Sequence, residues 1–144
     1  MGACFLIDTH VFAELMRKAP ATEVVAWFAA RQSGLVYTTS ISQAEILTGI
    51  ALLPEGKRRD GLAQAAQALF EQDLAGRCLD FDSAAAKQHA LVVSQRLRNG
   101  CPISTEDAQI AAIALTTGYP VVTCNAKDFL DIDGLTVINP WQPH

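Results

Sequence analysis

The chain has no C-x-x-C pair and no Cys/His spacing that fits a zinc site. Its four cysteines, Cys4, Cys78, Cys101 and Cys124, stand far apart, and three of them lie in or beside apolar runs. They read as small hydrophobes of a reducing compartment rather than as a disulfide framework. No uninterrupted apolar run approaches the about 20 residues of a membrane span. No basic leader precedes the first apolar stretch, which Asp8 interrupts, so a soluble, cytoplasmic protein is expected. Positive charge is not in excess either: the formal net charge is −4. A basic face alone therefore does not hold a polyanion here, although cations bound by carboxylates would invert the local sign. Charged residues make up only 18%, which leaves apolar surface for a partner to cover. There is no repeat, low-complexity tract or linker, and 144 residues suit one domain over positions 1–144.

Half of the chain is hydrophobic, ample for one sizeable core. Ala3–Ile7 reads as a buried strand and Val11–Met16 as a short helix. Thr22 is expected to cap a second helix to about Arg31, with Val24, Val25, Phe28 and Ala29 on one face and Gly34 closing it. A strand follows over Leu35–Thr38 and a helix over Ser42–Leu53. Gly56–Leu74 has strong helix propensity, with Leu62, Ala65, Ala66, Leu69 and Phe70 at helical spacing. Arg77–Phe81 is a strand candidate. Asp82 caps a helix ending at Asn99-Gly100, and Ser104 opens one ending at Gly118. Pro120–Thr123 is a strand, Ala126–Phe129 one helical turn, and Thr136–Ile138 a last strand. Strands alternating with helices predict an α/β fold: three α/β/α layers around a mostly parallel central sheet.

Four carboxylates sit where such a fold builds sites, at strand ends and helix starts. Asp8 follows the first strand and is either a helix cap or a ligand. Glu45 stands at capping-box spacing from Ser42, yet apolar Ala44, Ile46, Leu47 and Ile50 surround it. Asp107 opens a helix apolar nearly all round, with Glu106 turned about 100° away. Asp128 lies in a polar turn and is by itself an ordinary surface acid. Together the four suggest one acidic pocket. Hard oxygen donors without a thiolate cluster select Mg²⁺ or Mn²⁺ over zinc and point to phosphodiester chemistry. Thr9, His10, Thr123 and Asn125 are candidate donors behind the acids. Lys57-Arg58-Arg59 is the dense basic cluster, either a phosphate contact or a solvated helix start, with Arg17, Lys18, Arg96, Arg98 and Lys127 scattered beyond it. Trp27, Trp141 and Phe129 read as packing residues before base-stacking ones.

The chain resembles PIN-domain proteins, and more closely the VapC/FitB-like toxins, which include plasmid-stability proteins. Leu6-Ile7-Asp8-Thr9, the run Ala44–Gly56, Asp107-Ala108-Gln109-Ile110-Ala111-Ala112, Thr123–Phe129 and Ile138-Asn139-Pro140-Trp141 carry the resemblance over nearly the whole chain. It implies a parallel α/β/α sandwich and a Mg²⁺- or Mn²⁺-dependent endoribonuclease. The ligands carry over to Asp8, Glu45, Asp107 and Asp128, with Asp8 and Asp107 primary. It further implies a homodimer and a cognate antitoxin with a ribbon–helix–helix DNA-binding region, whose tail enters the acidic groove.

Two departures stand out. His10 occupies a place where the family usually has Asn; a neutral imidazole also donates and accepts, but titrates near neutrality. His10 is thus either a structural histidine or one that orients a site carboxylate. Cys124 replaces a frequent Arg, which puts one phosphate contact in doubt. The alternative reading is a catalytically silent module that binds nucleic acid or a partner through the same groove. A phosphatase with Asp8 as nucleophile would need a second Asp where His10 stands.

Overall fold

A computed structural model describes residues 4–31 and 35–141. The expected helix stop at Gly34 and the start of the first apolar run at Ala3 lie outside them. Five strands form one parallel sheet: β1 Phe5–Ile7, β2 Val36–Thr39, β3 Cys78–Leu79, β4 Val121–Val122 and β5 Val137–Ile138. Their order is β3-β2-β1-β4-β5. The chain winds outward from β1 through β2 to β3, then returns to the other side of β1 for β4 and β5. The carboxyl ends of β1 and β4 therefore flank the point where the winding reverses, the position where open α/β sheets hold ligands.

The helices are α1 Thr9–Leu15, α2 Thr22–Ala29, α3 Ser40–Ala51, α4 Lys57–Ala68, α5 Ser83–Arg98 and α6 Thr105–Thr117. Successive strand residues face opposite layers. Leu6 and Val121 pack against α5 and α6, where Ala108, Ile110, Ala111, Ala112, Ile113 and Ala114 are all buried. Phe5, Ile7, Val36 and Val122 pack against Val11 and Phe12 of α1 and Trp27 of α2. Three layers result, as the alternation of elements requires. Ile41 packs with the α5–α6 side and Ile46 with the α1–α2 side, so α3 crosses the edge between the layers.

Several local expectations hold for the physical reason given. Asp82 accepts from Ala85 N at 2.9 Å as the cap of α5. Ser104 caps α6 by accepting from Asp107 N at 3.1 Å. Gly118 ends α6 in the left-handed region at φ 80°, where a side chain would be strained.

Others do not hold. Thr22 is not the cap of α2; Ala21 occupies that position without a side-chain hydrogen bond, and Thr22 Oγ1 instead donates to Glu23 at 2.8 Å. The buried face of α2 is Val24 and Trp27, while Val25 is exposed, because Trp27 packs edge-on against Phe5 at 5.0 Å. The long helix expected over Gly56–Leu74 ends at Ala68 and continues as a π-helical turn, Leu69–Asp73. That turn stacks Phe70 on Phe12 at 4.5 Å. Helix α3 starts at Ser40 with Thr39 as its cap, so Ser42 is not its cap and the Ser42–Glu45 capping box does not form.

Candidate metal-binding active site

Asp8 leaves β1 and starts α1. Its Oδ1 accepts from Val11 N at 2.9 Å, and its Oδ2 accepts from Thr123 Oγ1 at 2.6 Å. The carboxylate is 1% exposed. Thr123 directly follows β4, is fully buried, and accepts from Asn125 N at 2.9 Å. Two neighbouring strand ends are thereby locked through one acid. The cap reading of Asp8 is real, and it leaves each oxygen a free lone pair.

Glu45 lies in the second turn of α3. Its Oε1 accepts from Thr9 Oγ1 at 2.6 Å, and Thr9 Oγ1 also meets the buried Ser42 Oγ at 2.9 Å. Ser42 accepts in turn from Thr39 Oγ1 at 3.4 Å. A chain of hydroxyls thus runs from the end of β2 to Glu45. His10 is exposed, with Nδ1 3.8 Å from Asp8 Oδ2 and 3.5 Å from the Asn125 side-chain nitrogen. It stands beside the acids and is not a buried structural histidine.

Burial pushes the Asp8 carboxyl up from its ordinary value, partly offset by the hydrogen bonds from Thr123 and Val11 N and by His10. Asp107 is also pushed up. Burial is the main cause, the charges of Asp128, Asp8 and Glu45 add to it, and a bond to Ser104 pulls it back. The charges of the three other acids thus act on Asp107, which places it in their neighbourhood. Among the described residues none of the four pairs with a lysine or arginine. An uncompensated cluster of hard oxygen donors is a site that gains from a divalent cation. Among the described residues no three His, Cys, Asp or Glu side chains already converge into a ready cage.

The PIN domain family matches residues 5–135. This chain belongs to the PIN-domain family. It is 38% identical to the plasmid stability protein StbB of Pseudomonas syringae pv. tomato, over 95% of this chain and 98% of that protein. It is 36% identical to the VapC ribonuclease Y4jK of Sinorhizobium fredii, over 96% and 98%. Its backbone superposes on the structure of FitAB bound to an IR36 DNA fragment with a TM-score of 0.89, at 34% identity, covering 97% of each chain.

Elsewhere this PIN domain places Lys57, Arg58 and Arg59 in the first turn of α4. Lys57 and Arg58 are exposed, and Arg59 lies 3.9 Å from Glu55. Cations at a helix start oppose the helix dipole, so the cluster does not serve stability. Two grooves flank α3. One of about 530 Å³ is lined by Ile41, Glu45, Leu52 and Glu106. The other, about 240 Å³ and mainly apolar, is lined by Met16, Ile46, Ile50 and Leu62 and is also edged by Glu45. Burial pushes the Cys124 thiol up, with Asp8 and Asp128 contributing, so it sits within reach of the acids as a neutral group. The burial of two polar residues escapes the sequence reading. Ser42 reads as a cap, because it shares the cap alphabet with Thr39 one turn earlier. Arg96 reads as one of several scattered basic residues, because nothing in its flanks marks it as buried.

Proposed function

We propose that the protein is a divalent-metal-dependent endoribonuclease and the toxin partner of a toxin–antitoxin pair. The observation that carries this is the buried Asp8 carboxylate at the switch point of a PIN-domain sheet, with Glu45 held by the adjacent Thr9 and neither acid paired with a lysine or arginine among the described residues. The likeness to a VapC ribonuclease, to Toxin FitB and to the FitAB structure supports the reading.

Asp8 and Asp107 hold Mg²⁺ or Mn²⁺, with Glu45 and Asp128 completing the acidic lining. The ion supplies charge neutralisation at the scissile phosphate and lowers the pKa of water. The chain's own residues set the geometry. Thr123 and Val11 N each hold one oxygen of Asp8, so the orientation of its carboxylate is fixed. Thr9 holds Oε1 of Glu45 and leaves Oε2 to orient the attacking water. Water gives up a proton as it attacks phosphorus, the bridging P–O bond breaks and the leaving oxygen takes up a proton, with no covalent enzyme intermediate. Lys57, Arg58 and Arg59 supply positive charge outside the pocket.

The apolar groove between α1, α3 and α4 suits the apolar face of a helix from the antitoxin. A homodimer and a ribbon–helix–helix DNA-binding region on that antitoxin belong to the same reading. The protein acts as one domain over residues 1–144, in the cytoplasm. Among the described residues no helix is long and apolar enough to cross a membrane. The absence of a preformed three-ligand cage among the described residues favours one competitor, a silent module that binds nucleic acid without cutting it.

The test is cleavage of a structured RNA mixture with Mg²⁺, Mn²⁺ or EDTA, alongside Asp8→Asn and Asp107→Asn. Metal-dependent cutting lost in both variants is expected. RNA binding without cutting, unchanged by EDTA, would establish the silent module instead.

A further inference from the structure

Arg96 lies in the last turn of α5 and is only 6% exposed. Its Nε donates to Cys101 O at 2.7 Å. Its Nη1 donates to Asp128 O at 3.0 Å and to Leu130 O at 2.8 Å. The acceptors belong to two separate stretches, the α5–α6 link and the turn after β4. Both present acids of the pocket. Cys101 precedes Ser104, whose hydroxyl caps α6 at Asp107 N. Asp128 is gripped by its own carbonyl, so the guanidinium fixes its backbone and leaves its carboxylate free.

The end of α5 does not need this side chain. Cys101 N donates to Arg96 O at 2.9 Å and Gly100 N to Leu97 O at 3.1 Å, with Gly100 at φ 70°. That pattern already satisfies the last carbonyls of the helix. The guanidinium is left for contacts outside its own helix, and burying it without a carboxylate partner is costly. A planar fork reaches several fixed carbonyls at once, which a lysine does not. Gln95 adds a second tie from the same turn, its Nε2 donating to Asp133 Oδ2 at 3.1 Å. Between the two ties Asp131 takes a left-handed backbone at φ 59°, uncommon for a residue other than glycine.

We propose that Arg96 is a positioning residue: through the carbonyls of Cys101, Asp128 and Leu130 it sets the two segments that bring Asp107 and Asp128 to the pocket. The proposal rests on the metal-dependent nuclease reading and deepens it.

The experiment uses the full chain as wild type, Arg96→Gln, Arg96→Lys and Gln95→Ala. Mn²⁺ binding is followed by electron paramagnetic resonance without RNA. Steady-state kcat and KM are measured on one RNA fragment that the wild type cuts, and folding is checked by circular dichroism. Arg96→Gln is expected to lose about tenfold or more in Mn²⁺ affinity and in kcat, while KM changes less than about twofold. Arg96→Lys recovers part of the loss, and Gln95→Ala shows a smaller loss with the fold intact. A folded Arg96→Gln that melts lower yet binds Mn²⁺ and turns over like the wild type overturns the proposal. So does a rise in KM at unchanged kcat, which makes Arg96 a phosphate contact. If Arg96→Gln does not fold, unchanged Mn²⁺ affinity in Gln95→Ala overturns it. A wild type that binds Mn²⁺ but cuts no RNA defeats the nuclease reading alone, and the Mn²⁺ comparison still decides the role of Arg96.

Discussion

Asp107→Asn should stabilise the metal-free protein while abolishing its response to metal. Asp107 faces the charges of Asp128, Asp8 and Glu45 and is itself part-buried. At roughly 0.3–0.5 kcal/mol per like-charge neighbour, the size found for partly solvated pairs, its ionised form costs about 1 kcal/mol in repulsion. Burial adds to that cost, and the start of α6 returns about 0.5 kcal/mol to an acid in its first turn. The net gain of about 1 kcal/mol corresponds to about 3 °C in Tm for a chain of this length. The sign with pH follows from the raised carboxyl. Its contribution to stability is intact below the unfolded-state value and is lost as pH rises through the folded-state value. The advantage of the variant should therefore vanish in acid, below the ordinary carboxyl range, and be complete well above it. Metal reverses the order. At a hundredfold excess over its dissociation constant a cation adds about 2.7 kcal/mol to the wild type, or about 9 °C. The variant should gain only a small part of this. The assay is a set of thermal melts at several pH values, with EDTA or with Mn²⁺. A variant whose EDTA melting point at pH 8 equals or falls below the wild type, or one that Mn²⁺ raises as much, would refute the reasoning.

Thr123→Val removes the donor to Asp8 and the acceptor for Asn125 N; denaturant melts should show a loss of about 1–3 kcal/mol, and kcat should fall about 10–100-fold, with Thr123→Ser near wild type in both. Replacing Lys57 and Arg58 by alanine should raise stability by a few tenths of a kcal/mol, about what relief of an unfavourable helix-start charge gives. The same double variant should bind RNA more weakly, with a slope of log affinity against log salt lower by about 0.7 for each phosphate it no longer neutralises; an unchanged slope would make the cluster a solvated face. Gly49 lines both grooves beside α3, and a Cβ built there meets nothing within 4 Å. Gly49→Leu should therefore fold and gain up to about 1 kcal/mol in helix propensity, yet fail to retain the antitoxin on co-purification; full retention would place the partner elsewhere.

Most of the frame is legible in the sequence because its signals are local. The α5 and α6 boundaries follow from Asp82, Ser104 and Gly118, each with one dominant use. The parallel sheet follows from short apolar runs spaced by helices. Misreadings arise where two residues compete for one role. Thr39 and Ser42 both suit a cap, and only the pairing of β2 with β3, Thr39 against Leu79, decides that the strand runs through Thr39. Val25 and Trp27 both suit the inner face of α2, and packing against Phe5 selects the tryptophan. The role of Arg96 is not legible at all. Its three acceptors are backbone carbonyls, which carry no sequence signature, and two of them lie more than thirty residues away.

The same competition explains why each acid looks ordinary by itself. Asp8 does cap α1, and Ser104 beside Asp107 does cap α6. A cap places a carboxylate at a helix start, with one lone pair spent on the backbone and the rest free. At the carboxyl edge of a parallel sheet, several helix starts converge on one spot. Of the four acids Asp8 alone is itself a cap, while Asp107 stands in the first turn of α6 and Glu45 in the second turn of α3, so the helix starts place these acids without any further motif. What separates this pocket from a set of ordinary caps is a shortage. Asp8 is buried with only uncharged donors on its oxygens, and Asp107 is pushed up by burial and by three acids, with no lysine or arginine among the described residues answering them. Helix stability alone would select neither arrangement, since both raise the cost of the charged form. On the proposed reading a bound cation recovers that cost, so the uncompensated charge of the metal-free site follows from its use.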